Sequence, residues 1–108
     1  MKTDLNRFLP LAPATLHILL ALAGEDLHGY GIMQEVQRQS EGKYRLGPGT
    51  LYDNLARLVR EGLAVETQQD ARRKYYRLTR SGRQMLATQR GVWDNFFAAL
   101  NRVARVTG

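Results

Sequence analysis

An amphipathic segment that runs almost directly into a strand loaded with bases constrains this 108-residue chain more than any other feature. The first segment is Gly49-Thr50-Leu51-Tyr52-Asp53-Asn54-Leu55-Ala56-Arg57-Leu58-Val59-Arg60-Glu61-Gly62-Leu63. Leu51, Leu55, Leu58 and Val59 fall at i, i+4, i+7 and i+8, which is one stripe of a helix. Thr50, Asp53, Asn54, Arg57 and Arg60 are left on the outer arc. Pro48 suits the first helical turn, where its missing N–H costs nothing, and Gly62 supplies the stop. The second segment is Arg72-Arg73-Lys74-Tyr75-Tyr76-Arg77-Leu78-Thr79. It reads as a strand with Tyr76 and Leu78 on one face and Tyr75 and Arg77 on the other. Leu63–Thr67 is its expected partner, with a turn over residues 68–71 that has no Asn-Gly or Asp-Gly pair to fix its type.

Two further helices precede this pair. Leu16, Leu19, Leu20 and Ala23 fit one face of a first helix, widened by Ile18 and Leu22, with Pro13 near its start and Gly24 as its stop. A turn is expected at Leu27–Gly31. A second helix then runs from about Tyr30 to Ser40, with Ile32, Met33 and Val36 inward and Gly42 behind its end. After the hairpin, Thr79 can cap a helix from about Arg80 to Val106. Leu86, Trp93, Phe96 or Phe97, Leu100, and Val103 or Ala104 recur along it at spacings of three, four and seven, a coiled-coil-like seam interrupted by Gly91. An apolar seam on a helix that projects beyond a small unit needs a cover, and a second copy of the chain is the economical one. The expected fold class is therefore mainly α with a small β-hairpin. In that arrangement, a winged helix-turn-helix, a helix enters a DNA groove and a basic hairpin reaches the backbone.

The formal charge of +6 and the pI near 10.2 favour a polyanionic partner. The distribution says more than the total. From Arg72 to Arg83 there are Arg72, Arg73, Lys74, Arg77, Arg80 and Arg83 and no acid. Adjacent bases repel one another, and a phosphate backbone relieves that repulsion. A chain without cysteine has no disulfide framework and no thiolate metal site. Met1–Pro10 lacks the basic-then-apolar pattern of a signal peptide, and the longest apolar stretch, about Leu16–Ala23, is too short to span a membrane. A soluble, cytoplasmic protein with no membrane partner is expected.

No cofactor or enzymatic chemistry is expected. His17 and His28 have no metal-ligand spacing, no two carboxylates are placed for acid–base work, and Ser40 and Ser81 have no base beside them. Gly47-Pro48-Gly49-Thr50 lacks the lysine of a phosphate loop. The candidate DNA-contacting residues on the third helix are Thr50, Asn54 and Arg57, short or forked donors able to reach base edges or phosphates. Arg72, Arg73 and Lys74 on the hairpin are candidates for phosphate contact. Trp93, Phe96 and Phe97 are ordinary seam packing or, at a two-fold axis, a slot in which facing indoles enclose a flat hydrophobic ligand.

Taken in order, several stretches resemble the PadR family of bacterial transcriptional regulators. They are Leu16-His17-Ile18-Leu19-Leu20-Ala21-Leu22, His28-Gly29-Tyr30-Gly31-Ile32, Gly49-Thr50-Leu51-Tyr52, Leu55-Ala56-Arg57-Leu58 with Glu61-Gly62-Leu63, and Arg73-Lys74-Tyr75-Tyr76-Arg77-Leu78-Thr79 with Gly82. The resemblance implies a homodimeric repressor of operator DNA, of the short subfamily whose single C-terminal helix packs on its partner's. It divides the chain into a winged helix-turn-helix domain over 1–79 and a dimerisation helix over 80–108. It implies that Tyr30 touches a phosphate, that Thr50, Tyr52 and Asn54 lie on the recognition helix, and that Trp93 stacks on a planar inducer. Asp53 departs from the proline or neutral residue frequent at its position, and the chain between Thr67 and Arg72 is short. Two rival readings stay open: a winged-helix module for an acidic protein surface, and a DNA binder that answers to no ligand.

Overall fold

In the computed structural model the described residues are 11–68, 70 and 72–107. The reading of Met1–Pro10 and part of the expected hairpin turn, Gln69 and Ala71, lie outside them. The elements in chain order are α1 (Pro13–Leu22), β1 (Leu27–His28), α2 (Gly29–Gln39), α3 (Pro48–Arg60), β2 (Ala64–Gln68), β3 (Lys74–Leu78) and α4 (Arg80–Thr107). The fold is a winged helix-turn-helix with a long C-terminal helix.

Local chemistry sets the boundaries. α1 and α3 both begin on a proline. Gly42 and Gly62, behind α2 and α3, have φ of 75° and 77°, a left-handed conformation that other residues adopt at a penalty. Thr79 caps α4: its Oγ1 accepts from the Gly82 N–H at 3.1 Å. His28 caps α2 in the same manner, its Nδ1 accepting from the Gly31 N–H at 3.0 Å.

The sheet has one strand more than the hairpin. Its order is β1-β3-β2, antiparallel throughout, with Leu27 opposite Tyr76 and Ala64 opposite Leu78. The segment expected as a plain turn thus supplies an edge strand. An ion pair ties it down: the Arg77 guanidinium donates to both carboxylate oxygens of Asp26 at 2.8–3.1 Å. Two residues are too few to show the alternation by which a strand is read in sequence.

The core joins Ile18, Leu19 and Leu22 of α1, Ile32 and Val36 of α2, Leu51, Leu55 and Leu58 of α3, Tyr76 and Leu78 of β3, and Met85 of α4. Burial of Tyr76 pushes its phenol pKa up, with smaller contributions from Glu66 and Tyr52. In α1 the buried face is Thr15, Ile18, Leu19, Ala21 and Leu22, while Leu20, expected inward, is exposed. A helix so apolar all round does not announce its inner face.

α4 starts inside this unit. The Thr79 N–H donates to the Leu63 carbonyl at 3.1 Å, and a Cβ on Gly82 would collide with that same oxygen. Met85 and Gln89 are fully buried, and Gln89 Oε1 accepts from the Leu11 N–H at 2.8 Å. Beyond Gln89 the helix leaves the core. At about 100° per residue, Met85, Leu86 and Gln89 lie on the same side as Val92, Trp93, Phe96, Phe97, Leu100 and Val103. One stripe is therefore covered by its own chain in its first part and uncovered in the rest.

Candidate nucleic-acid interface

α3 presents its outer arc beside the start of α2 and the basic end of the β2–β3 hairpin. Tyr52 leaves α3 on the α2 side, where its hydroxyl lies against Gly29, so closely that a Cβ there would collide with it. Tyr30, the next residue, is exposed. Tyr30 and Tyr52 line an open groove of about 430 Å³ with His28, Gly29, Tyr76 and the hairpin bases Arg72, Arg73 and Lys74. Five of the eight expected DNA-contacting residues thus line one groove. That grouping joins three elements far apart in sequence.

The hairpin cations are ordered by an acid that sequence reasoning passed over. Asp70 Oδ1 accepts from the backbone N–H groups of Arg72 and Arg73 at 2.8 and 2.9 Å. This Asx turn takes the place of the missing Asn-Gly signal. Asp-x-Arg-Arg was visible in the sequence, but an Asx turn is one of several roles an exposed Asp can take. Arg77 and Arg83, counted in the basic run, are used within the fold. Arg77 holds Asp26, which keeps its guanidinium pKa above the usual value through that hydrogen bond and charge, and Arg83 Nη1 donates to the Ala23 carbonyl at 3.2 Å.

His28 adds a second feature to the groove. Its Nδ1 accepts from the Gly31 N–H at 3.0 Å. Arg73 Nη1 approaches its Nε2 at 2.9 Å.

The α1 side of α3 is different. Thr15 Oγ1 donates to Asn54 Oδ1 at 2.7 Å, and Arg57 Nη2 donates to Thr15 Oγ1 at 2.7 Å and to Asn54 Oδ1 at 3.3 Å. Asn54 Nδ2 returns to the Thr50 carbonyl at 2.8 Å. Asn54 and Arg57, two of the expected base readers, are thereby engaged with a buried threonine of α1, while Thr50 stays exposed. Thr15 was not among the expected site residues, because a lone threonine in an apolar helix gives no sequence signal of its partners.

On α4, Trp93 is 38 % exposed, Phe96 61 % and Phe97 58 %. Phe96 and Phe97 meet edge to face, with ring centroids 6.5 Å apart. Among the described residues no group of three histidines or acids could hold a metal, and no helix is long and apolar enough to cross a membrane.

Residues 18–88 match the family model described as the transcriptional regulator PadR-like family. The chain belongs to the PadR-like family. It is a DNA-binding transcriptional regulator. It is 43 % identical over 82 residues to the transcriptional regulator Rv3488 of Mycobacterium tuberculosis, a match that covers 73 % of this chain and 74 % of that protein. A transcriptional regulator from Clostridium thermocellum superposes with a TM-score of 0.72 at 25 % identity, over 94 % of this chain and 96 % of the other. Bacillus subtilis PadR, solved in complex with operator DNA, superposes with a TM-score of 0.59 at 28 % identity, over 68 % of this chain and 44 % of that one. The last match leaves more than half of the longer PadR chain without a counterpart here.

Proposed function

We propose that this PadR-like protein is a homodimeric repressor that binds a pseudo-palindromic operator, and that a planar hydrophobic ligand between the two α4 helices releases it. The observation that carries the DNA half is the groove in which Tyr30, Tyr52, Arg72, Arg73 and Lys74 meet. A duplex laid on α3 brings phosphates to that groove, where Arg72, Arg73 and Lys74 supply cations to meet them. The two α3 helices of a dimer enter successive major grooves about one helical turn apart. Thr50 lies on the arc that meets the bases, Tyr52 at its edge beside the phosphate groove, and the hairpin cations supply affinity that does not depend on sequence.

Replacing Arg72, Arg73 and Lys74 together by Ala tests this assignment. The slope of log affinity against log salt should flatten by roughly two to three units per protomer, because each phosphate neutralised contributes about 0.9. A slope that stays put removes the hairpin from the interface. The rival, a module for an acidic protein surface, would leave DNA binding weak and insensitive to salt in the wild type.

The dimer rests on the exposed stripe Val92, Trp93, Phe96, Phe97, Leu100 and Val103, too long and apolar to stand in water without a partner. The ligand reading rests on Trp93, which lies within that stripe and faces its mate across a two-fold axis. Such a ligand works only through the difference in its affinity for the DNA-competent and incompetent states. Trp93 is the only tryptophan in the chain, so its fluorescence reports on the site directly. Quenching by planar aromatics, together with release of DNA at the same concentrations, is the expected result; no change in fluorescence over a broad panel would leave a DNA binder without an inducer.

A further inference from the structure

The residues of α3 fall into three groups by direction: the core, its flanks and the ridge opposite. Leu51, Leu55 and Leu58 point into the core. Tyr52 flanks them toward α2, and Asn54 and Arg57 flank them toward Thr15 of α1. At about 100° per residue, Gly49, Asp53, Ala56 and Arg60 stand opposite the core, on the ridge that enters a groove first. All four are exposed. Gly49 and Ala56 are small, so Asp53 is the polar side chain in the middle of that ridge.

Its surroundings make Asp53 conspicuous. The cation placed to neutralise it along the helix is Arg57, at i+4. Arg57 has instead turned its Nη2 to Thr15 and Asn54. Among the described residues Asp53 has no hydrogen-bond or ion-pair partner, and the side chain at i+3 is Ala56. A free carboxylate at the leading edge of a surface that approaches phosphates is unfavourable unless the DNA offers it a donor. In the major groove the donors are the exocyclic amino groups, N4 of cytosine and N6 of adenine; guanine O6 and thymine O4 are acceptors and repel a carboxylate.

We infer that Asp53 is a specificity-determining residue that accepts a hydrogen bond from an exocyclic amino group in the major groove, while Asn54 and Arg57 hold α3 against α1. The inference rests on the reading of the protein as an operator-binding regulator and assigns the base contact within it. Asp53 selects in both senses, since the amino-bearing base is gained and the base with a carbonyl at that place is rejected.

Selection of bound duplexes from a random pool, run in parallel with the wild type, Asp53→Ala and Asp53→Asn, tests the assignment. In the wild-type motif one position per half-site should favour C or A over G or T, read on one strand, by about tenfold. Which of the two dominates identifies the base. Asp53→Ala should bring that position to within about twofold while the other positions keep their preferences. The same variant should bind random duplex a few-fold more tightly at low salt, because a like charge has left the interface. Asp53→Asn, which pairs an acceptor with a donor, should move the position toward adenine. Asp53 is exposed, so both variants are expected to fold, and an unchanged thermal unfolding curve checks it. A wild-type motif that survives both substitutions unchanged overturns the role of Asp53 alone. A wild type that enriches no sequence overturns the operator reading and this role with it.

Discussion

α3 and the distal part of α4 carry the same kind of pattern and meet opposite fates. Each has an apolar stripe at helical spacing and a polar arc opposite. In α3 the stripe is closed off by its own chain: Leu51, Leu55 and Leu58 are at most 1 % exposed. In α4 the stripe beyond Gln89 stays open, and Val103 is 60 % exposed. The unit can thus use the polar arc of α3 as an outward surface, whereas α4 can use only its apolar one. An amphipathic helix does not by itself say which of its two faces does the work. The neighbours decide it.

Substitutions in the two stripes should separate these fates. Leu55→Ala empties a filled site in the core, and denaturant unfolding should show a loss of about 2–5 kcal/mol. A loss well under 1 kcal/mol would mean the α3 stripe is not what holds the unit together. Phe96→Asp combined with Leu100→Asp should leave the folded monomer's stability nearly unchanged and abolish self-association in sedimentation equilibrium. Operator affinity should fall about hundredfold as the second half-site is lost. If the double variant remains dimeric, the open stripe has another occupant.

The polar sides of α3 can be set against each other in turn. Gly29→Ala forces the Tyr52 hydroxyl to move, and binding to operator and random DNA should weaken together, by about tenfold if one charge-assisted phosphate contact goes with it. Unaltered binding would take Tyr52 out of the interface. Thr15→Val removes the hub between half-buried Asn54 and exposed Arg57 and should destabilise the fold by about 1 kcal/mol, since the two hydrogen bonds of the Thr15 hydroxyl are lost. Combining it with Arg57→Ala in a double-mutant cycle should show a coupling; strict additivity would dissolve the network.

The smallest effect concerns pH. Tyr76 has its pKa raised by burial, so folding holds its proton more tightly than the unfolded chain does. The stabilisation is fully present below pH 10, the ordinary phenol value, and is lost as pH rises through the higher folded value. Tyr76→Phe should therefore be tolerated at neutral pH and flatten the loss of stability above about pH 10. An identical alkaline limb in wild type and variant would assign that loss to other groups.

Much of the architecture was legible because it follows from periodicity and punctuation. The starts of α1 and α3 at Pro13 and Pro48, the stops at Gly42 and Gly62, the Thr79 cap and the strand faces of Tyr76 and Leu78 are all short-range consequences of residue type. The basic run was equally plain. Its division was not, because Arg77 and Arg72 look alike until Asp26 is brought up by a strand of two residues. The sharing of Asn54 and Arg57 with Thr15 was hidden for the same reason, its partners lying about forty positions apart.

By itself the amino-acid sequence determined the helices, the hairpin, the excess of positive charge and the apolar seam of α4, since each depends on residues within a turn or two of one another. Only the tertiary structure decided which of those charged and polar groups remain free. A guanidinium or an amide is satisfied by whatever donor or acceptor folding brings within about 3 Å, and that is a property of packing. It left Arg72, Arg73, Lys74 and Asp53 facing outward, tied Arg77 to Asp26 and Arg83 to Ala23, and linked Asn54 and Arg57 to Thr15.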